Sequence, residues 1–91
     1  MGQSRRQQPA QLAVKLKEIR TKLGLTQQQM VEHLHKAKPG LQAGHISEYE
    51  TGKREPSLLV LLSYAKLAGI STDTLIDDSL EMPERLPERK R

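Results

Sequence analysis

The stretch from Gln42 to Pro56, QAGHISEYETGKREP, decides how the rest of the chain is interpreted. At about 100° per residue, Ile46, Tyr49 and Glu50 would share one side of a helix. The opposite side would carry four small or polar residues, namely Gly44, Ser47, Glu48 and Thr51. Such a helix would dock through its apolar side and leave a flat, hydrogen-bonding face free.

The end of this helix is marked by Gly52, since glycine is the usual residue just past a helix C-terminus. Lys53 and Arg54 follow at once. A small polar face flanked by cations suits a helix that lies in a nucleic-acid groove, because cations contact phosphates and side chains on the helix contact bases. The sequence therefore predicts a groove-binding helix over about residues 42–51.

The composition predicts one small domain. Ninety-one residues supply a single modest core, and with no Cys, Trp or Phe that core must be largely aliphatic. Neither disulfides nor thiolate metal sites are expected. No apolar run reaches the roughly 18 residues of a membrane span, and the N-terminus lacks the apolar segment of a signal peptide. We therefore expect a cytoplasmic protein without membrane contact.

The net charge of +4 is concentrated at the front of the chain. Residues 1–22 carry six Lys or Arg against one acid, whereas residues 73–91 carry four against six. A basic excess is typical of a polyanion binder, although many basic surfaces bind nothing. Residues 1–8 predict a flexible basic arm, which is either a solvated tail or an arm whose Arg5 and Arg6 reach a groove or a phosphate.

A domain of five helices is predicted over residues 9–78, and the groove-binding helix is the third of them. Helix 1 is expected over residues 10–23 and helix 2 from a capping box at Thr26 and Gln29 to about residue 35. An eight-residue connector follows, in which Leu41 is expected to enter the core. Helix 4 is expected between Ser57 and Gly69, and a short helix 5 after residue 71.

Leucine is so frequent in helix 4 that its core face is hard to choose. The expected core face consists of Leu58, Leu61, Leu62, Tyr64 and Ala65. Leu59, Val60 and Leu67 are then surplus, and Leu59 and Leu67 lie on a second face, which predicts an interface. In helix 5, Leu75 and Ile76 are expected to point inward. Residues 79–91 are rich in proline and charge and predict a disordered C-terminal tail.

Three groups of residues, in this order, resemble the Cro/phage-repressor type of helix-turn-helix domain, often called the XRE family. They span residues 19–70. They are Ile19-Arg20 with Leu23-Gly24-Leu25-Thr26-Gln27, then Ile46-Ser47-x-Tyr49-Glu50-x-Gly52-Lys53-x-x-Pro56, and Leu61-Leu62-x-x-Ala65 before Gly69-Ile70. The resemblance implies a compact, lambda-repressor-like all-α fold with flexible termini. It also implies a bacterial or phage-type protein that is associated with the nucleoid when bound to DNA.

The resemblance also implies roles for individual residues. Arg20 and Glu50 match an internal salt bridge between helices 1 and 3. Ala43, Gly44 and Glu48 match the positions that most often meet base edges, and from their place on the same helix His45 and Ser47 are expected to contact bases as well. The expected phosphate-contacting residues are Gln27, Thr51, Lys53 and Arg54. Glu48 could accept a hydrogen bond from a cytosine amino group or be only a solvent-facing acid, and Gln27 could equally be solvated.

No cofactor, metal or catalytic activity is expected. His33 and His35 lie two residues apart on a helix and so face different directions, and no nucleophile-base spacing or phosphate loop is present. Two hypotheses remain. In the first, the protein is a transcriptional regulator, a repressor, that binds an inverted-repeat operator in double-stranded DNA as a homodimer. In the second, it is an antitoxin or adaptor whose main role is to bind a protein partner. RNA binding is a weaker third, since stacking platforms are usually aromatic.

Overall fold

The structure of this protein is a computed structural model that describes residues 8–87. This part of the chain folds into five α-helices without a strand. They are α1 (Leu12–Leu23), α2 (Gln27–Leu34), α3 (Ala43–Thr51), α4 (Leu58–Ala68) and α5 (Thr72–Ile76). The prediction of an all-α, five-helix domain is confirmed. None of the helices in residues 8–87 has the length and apolar character of a membrane span.

Local capping signals set most helix ends. At the start of α2, the Gln29 N–H donates to Thr26 Oγ1 at 3.0 Å and the Thr26 N–H donates to Gln29 Oε1 at 2.9 Å. This is the capping box that the sequence predicts. Ser57 Oγ accepts from the Val60 N–H at 3.3 Å and starts α4. Gly52 ends α3 with a φ of +81°, a conformation that favours glycine.

Helix α1 starts two residues later than predicted. Its first turn is closed by a hydrogen bond that spans three residues rather than four, from the Leu12 N–H to the Pro9 carbonyl at 3.3 Å. The N–H groups of Ala10 and Gln11 instead donate to the carboxylate of Asp78, at 2.8 and 3.0 Å. A distant acid therefore caps the N-terminus of α1, where a negative charge is favourable.

A mainly aliphatic core joins the helices. Helix α1 packs against α3, α4 and α5, and α2 packs against α3 and α4. The fully or nearly buried residues include Leu12, Leu16, Ile19, Met30, Val31, Leu34, Leu41, Ile46, Tyr49, Val60, Leu61, Tyr64, Ala65, Ala68 and Leu75. The predicted burial of Leu41 in the connector is thus confirmed, at 6% exposure.

The predicted core face of α4 is wrong at three positions. Leu58 is 77% exposed and Leu62 is 39% exposed, whereas Val60 is completely buried. The buried stripe runs instead through Val60, Leu61, Tyr64, Ala65 and Ala68. Leu67 is partly buried against the core, so the exposed apolar patch consists of Leu58, Leu59 and Leu62 rather than Leu59 and Leu67. In α5, Leu75 is buried as predicted but Ile76 is 43% exposed.

Lys15 joins α1 to the C-terminal end of α5. Its side chain is buried, and its Nζ donates to the carbonyls of Thr74, Asp77 and Leu80 at 2.7, 3.1 and 2.8 Å. All three N–H donors of the ammonium group therefore have acceptors. A cation at a helix C-terminus is also favourable because the unpaired carbonyls there carry partial negative charge.

The segment after α5 lies against α1. Met82 and Leu86 pack on the core, and Lys22 Nζ donates to the carbonyls of Pro83 and Glu84 at 2.7 and 2.6 Å. The disordered tail over residues 79–91 stays a prediction, and its last four residues lie outside the described part of the chain.

Candidate nucleic-acid interface

The inner side of α3 is held by a buried ion pair. Arg20 Nε donates to Glu50 Oε2 at 2.6 Å, and Arg20 Nη2 donates to Glu50 Oε1 at 3.0 Å. The side chains are only 15% and 3% exposed, respectively. Arg20 Nη1 also donates to the Leu25 carbonyl at 2.9 Å, and the bond to Glu50 raises the pKa of Arg20 above its ordinary value. The pair fixes the position of α3 relative to α1 and to the turn before α2.

Gln27 is positioned by the same carboxylate. Its Nε2 donates to Glu50 Oε1 at 3.3 Å, and the side chain is half-buried in the first turn of α2. The amide is therefore connected to α3 rather than simply solvated. The second N–H of its Nε2 and the free backbone N–H groups of this turn can donate to an anion, and the positive end of the α2 dipole is a suitable place for one.

The outer side of α3 carries small residues without internal packing partners. Gly44 is exposed, and a Cβ built there would meet no atom within 4 Å. Glycine in a helix is less favourable than alanine by roughly 0.5–1 kcal/mol, and nothing in residues 8–87 requires it at this position. Thr51 is exposed as well, and its Oγ1 donates back to the Ser47 carbonyl at 3.1 Å. The surface around Gly44 is therefore open.

His45 completes the N-terminal turn of α3. Its Nδ1 accepts from the Gln42 N–H at 3.0 Å, and the side chain is half-buried. This bond fixes the orientation of the ring and leaves Nε2 as the nitrogen that can contact a ligand. Ala43, two residues before His45, is half-buried.

The C-terminal end of α3 carries an ion pair that the sequence did not predict. Arg54 Nε donates to Glu48 Oε1 at 2.6 Å, and this bond lowers the pKa of Glu48. Both side chains remain substantially exposed, at 51% for Arg54 and 40% for Glu48. Lys53, the neighbouring cation, is exposed and makes no side-chain hydrogen bond or ion pair within residues 8–87. Of the two predicted phosphate-contacting cations, Arg54 is therefore paired with a carboxylate and Lys53 is not.

The N-terminal segment meets this same end of α3. Gln8 Nε2 donates to the Gly52 carbonyl at 3.3 Å, so the described chain begins beside Lys53 and Arg54. The predicted arm contacts of Arg5 and Arg6 lie outside the described residues.

Within residues 8–22, the basic front of the chain does not form one free patch. Of its four cations within residues 8–87, Lys15 and Arg20 are bound inside the fold, and Lys22 is bound to two carbonyls and to Glu18 at 3.0 Å. Lys17 is the remaining one. The interpretation of this block as a surface for polyanions is therefore wrong for three of the four side chains. No group of three metal-ligating side chains occurs in residues 8–87.

Comparisons with known proteins agree with this architecture. A family model described as "Helix-turn-helix domain" matches residues 14–80. The chain is 35% identical over 81 residues to an SPbeta prophage-derived, uncharacterized HTH-type transcriptional regulator, YonR, of Bacillus subtilis (strain 168). This match covers 79% of the chain and 70% of YonR.

The fold is also similar to that of a solved phage protein. The crystal structure of the P22 c2 repressor protein in complex with synthetic operator 9T matches with a TM-score of 0.63 and 23% sequence identity. The similarity covers 80% of this chain and 98% of that one. Together with the family match over residues 14–80, the buried Arg20–Glu50 pair and the capped α2, this places the chain in the phage-repressor-like (XRE) family of helix-turn-helix proteins.

Proposed function

We propose that this protein is a DNA-binding transcriptional regulator, a repressor, that places α3 in the major groove of duplex DNA. The observation that carries the proposal is the open outer face of α3, on which Gly44 is exposed without any packing reason for a glycine. Glycine at position 44 weakens the helix and relieves no contact inside the protein. Its presence is explained if the surface of a partner molecule has to approach the backbone of α3 closely at this point. The major groove admits an α-helix, and its bases present distinct donor and acceptor patterns.

The named relatives support the same function. YonR is described as a transcriptional regulator, and the P22 c2 repressor was crystallised with an operator. The outward side of α3 in this chain has the small polar character that such a contact needs, and its inner side is fixed by Glu50. A helix held on one side and open on the other is pre-organised for docking without rearrangement.

The base contacts are assigned along the outer face of α3. Ala43 and Gly44 allow close approach, and the Ala43 methyl suits contact with a thymine methyl. His45 uses Nε2, because its Nδ1 is already bound to the backbone. Ser47 and Glu48 supply the remaining polar contacts, Glu48 as an acceptor for a cytosine amino group.

The phosphate contacts surround this face. Gln27 contributes its amide at the start of α2, where Glu50 positions it. Thr51, Lys53 and Arg54 lie at the other end of α3, beside the point where the N-terminal segment meets Gly52. Contacts at both ends of the helix would set its register in the groove, while the residues between them choose the sequence.

The protein acts as a homodimer in this proposal. Leu58, Leu59 and Leu62 form an exposed apolar patch at the start of α4, and such patches mark interfaces on small proteins. Two copies of α3 would then lie in successive major grooves, about 34 Å apart, on an inverted-repeat operator.

The first experiment is selection from random duplex DNA at near-physiological salt. Inverted repeats with half-site centres about 10 base pairs apart are expected, and absence of any enriched sequence would refute sequence-specific binding. The enriched site then serves to test Gly44→Ala, which is expected to raise helix stability by about 0.5 kcal/mol yet weaken operator binding about tenfold. Thr21→Ala, on the exposed part of α1, is the matched control and should leave binding unchanged.

The leucine patch also favours a second candidate function, an antitoxin or adaptor that binds a protein partner. Self-association distinguishes the two. Leu59→Lys should abolish the dimer in analytical ultracentrifugation and weaken operator binding, whereas Val14→Lys should not. Val14 is a matched control because it is 60% exposed and Leu59 is 62% exposed. A wild-type monomer that binds no operator would favour the second candidate.

A further inference from the structure

The ion pair between Glu48 and Arg54 joins two residues to which the proposed function gives opposite tasks. Glu48 is the base-contacting acceptor, and Arg54 is a phosphate-contacting cation. In the free protein they satisfy each other, with Arg54 Nε and Glu48 Oε1 at 2.6 Å. A guanidinium bound to a carboxylate cannot neutralise a phosphate at full strength, because the carboxylate already neutralises its charge.

The backbone holds this pair in place. After Thr51, Gly52 turns the chain back with a φ of +81°, and the N–H groups of Lys53 and Arg54 both donate to the Glu48 carbonyl, at 2.9 and 3.3 Å. The same turn therefore returns Arg54 to the outer face of α3. Lys53 leaves the same turn without a side-chain hydrogen bond or ion pair in residues 8–87, although its charge helps to lower the pKa of Glu48. The chain thus places side by side one cation that is bonded to Glu48 and one that is not.

The pair is weak enough to exchange. Both side chains are exposed to water, at 51% and 40%, and ion pairs in such positions are easily replaced by other partners. Arg54 can therefore leave Glu48 when Glu48 finds another donor. A base amino group in the major groove would be such a donor, and it is present only at the correct sequence.

We propose that Glu48 withholds Arg54 from the phosphates of non-cognate DNA and releases it on the operator, so that one ion pair increases sequence specificity. This inference rests on the proposed function. On non-cognate DNA, Glu48 has no base partner and stays with Arg54, so Lys53 contributes a phosphate contact and Arg54 does not. On the operator, Glu48 bonds to a base and Arg54 gains a phosphate. Base recognition then adds a backbone contact that non-cognate DNA lacks.

The salt dependence of binding to non-cognate DNA measures directly whether Glu48 withholds Arg54. Each phosphate contact adds about 0.9 to the slope of log K against log salt, which corresponds to a three- to fourfold change in affinity between about 50 and 200 mM salt. The assay is fluorescence anisotropy with a labelled mixed-sequence duplex of about 25 base pairs, long enough for two helical turns. No operator is needed for this test.

Four variants and one control separate the contributions. Lys53→Gln should flatten the slope by about 0.9, and Arg54→Gln should flatten it much less. Glu48→Gln should steepen the slope by about 0.9 and raise affinity at low salt, because it frees Arg54. The double variant Glu48→Gln with Arg54→Gln should lose that gain. Glu32→Gln, which removes an exposed acid from α2, controls for the loss of one negative charge and should change little.

Equal flattening by Lys53→Gln and Arg54→Gln would overturn the inference, as would an unchanged slope in Glu48→Gln. A flatter slope in Glu48→Gln would overturn it too, since Glu48 would then be orienting Arg54 towards phosphate. These outcomes leave DNA binding itself intact. If the wild-type protein bound no duplex at any salt concentration, the proposed function and this inference would both fail. Thermal melts by circular dichroism confirm that each variant is folded before it is compared.

Discussion

Replacing Lys15 by Met should destabilise the fold far more than a change of one lysine usually does. The ammonium group donates to three carbonyls, and the side chain is 5% exposed. Met preserves most of the apolar stem and removes only the charge and the donors. The Asp77 carbonyl retains a bond from the Leu80 N–H at 3.0 Å, so two carbonyls, those of Thr74 and Leu80, lose the partner described for them.

The magnitude follows from those two carbonyls. A buried acceptor without a donor costs about 1–3 kcal/mol, and bonds to a charged donor lie at the upper end of the scale. The variant no longer has to bury an ammonium group, and water can reach the exposed Leu80, so both effects reduce the loss. We expect a net decrease of about 3 kcal/mol in the free energy of unfolding, against a total of about 5–14 kcal/mol for a chain of this size.

Urea denaturation followed by far-UV circular dichroism measures this loss. With a slope of about 1–1.5 kcal/mol per molar urea, the midpoint should fall by about 2–3 M. Lys17→Met is the matched control because Lys17 is exposed on the same helix and makes no described side-chain bond, so its change should stay within about 0.5 kcal/mol. If Lys15→Met were as mild as Lys17→Met, the three carbonyl bonds would not contribute to stability.

Three further changes test other parts of the fold. Glu50→Leu alone should lower the free energy of unfolding, measured by urea denaturation, by about 3–5 kcal/mol. Adding Arg20→Met should restore part of that loss, because no unpaired guanidinium then remains buried, and a double variant less stable than the single one would contradict this. Tyr64→Phe should raise the free energy of unfolding by about 1 kcal/mol, since the buried hydroxyl has no partner within residues 8–87 and burial raises its pKa; a clear loss would show that the hydroxyl is bonded. The N–H groups of Gln11 and Ala10 lower the pKa of Asp78 below 3.8, so the stability that Asp78 contributes is present above that pH and is lost as the pH falls through the folded-state pKa. The difference in melting temperature between about pH 5 and pH 2.5 should therefore be smaller in Asp78→Asn than in the wild type, and an equal difference would refute the assignment.

Features that depend on neighbouring residues could be predicted from the sequence. The capping box at Thr26 and the glycine that ends α3 act within one helical turn, so their residues are visible side by side. The inward direction of Ile46 and Tyr49 also follows from helical spacing, and both are buried. Local geometry and local sequence agree in these places, and the five-helix fold follows from them.

The core face of α4 could not be predicted in the same way. Five consecutive residues, from Leu58 to Leu62, are all aliphatic, so the helical period has no polar residue to show which side faces water. The choice is made by docking against the other helices, which places Val60 in the core and Leu58 outside. Periodicity alone cannot contain that information.

The candidate site shows the same limit. Residues 43–51 could be assigned to two faces from their spacing, but the partner of Glu48 could not be, since Arg54 lies beyond the end of the helix. Helical spacing does not continue past Gly52, and the turn at that glycine determines where Arg54 points. Opposite charges six residues apart across a helix-ending glycine are the sequence signal for this contact.

The formal charge of the chain overstates the number of cations that are available to contact DNA phosphates. The net charge is +4, but three cations of α1 are bound internally, so residues 8–87 have few unpaired cations near α3. Lys53 makes no hydrogen bond or ion pair there, Arg54 is paired, and Lys36 and Lys38 in the connector are the nearest others along the described chain. Non-cognate binding by one protomer should therefore show a salt slope of about 1–3, well below what the basic composition suggests. With few phosphate contacts from residues 8–87, the regulator proposed above would depend on close base contacts and on dimerisation for its affinity. The small outer face of α3 supports the former and the exposed leucines of α4 the latter.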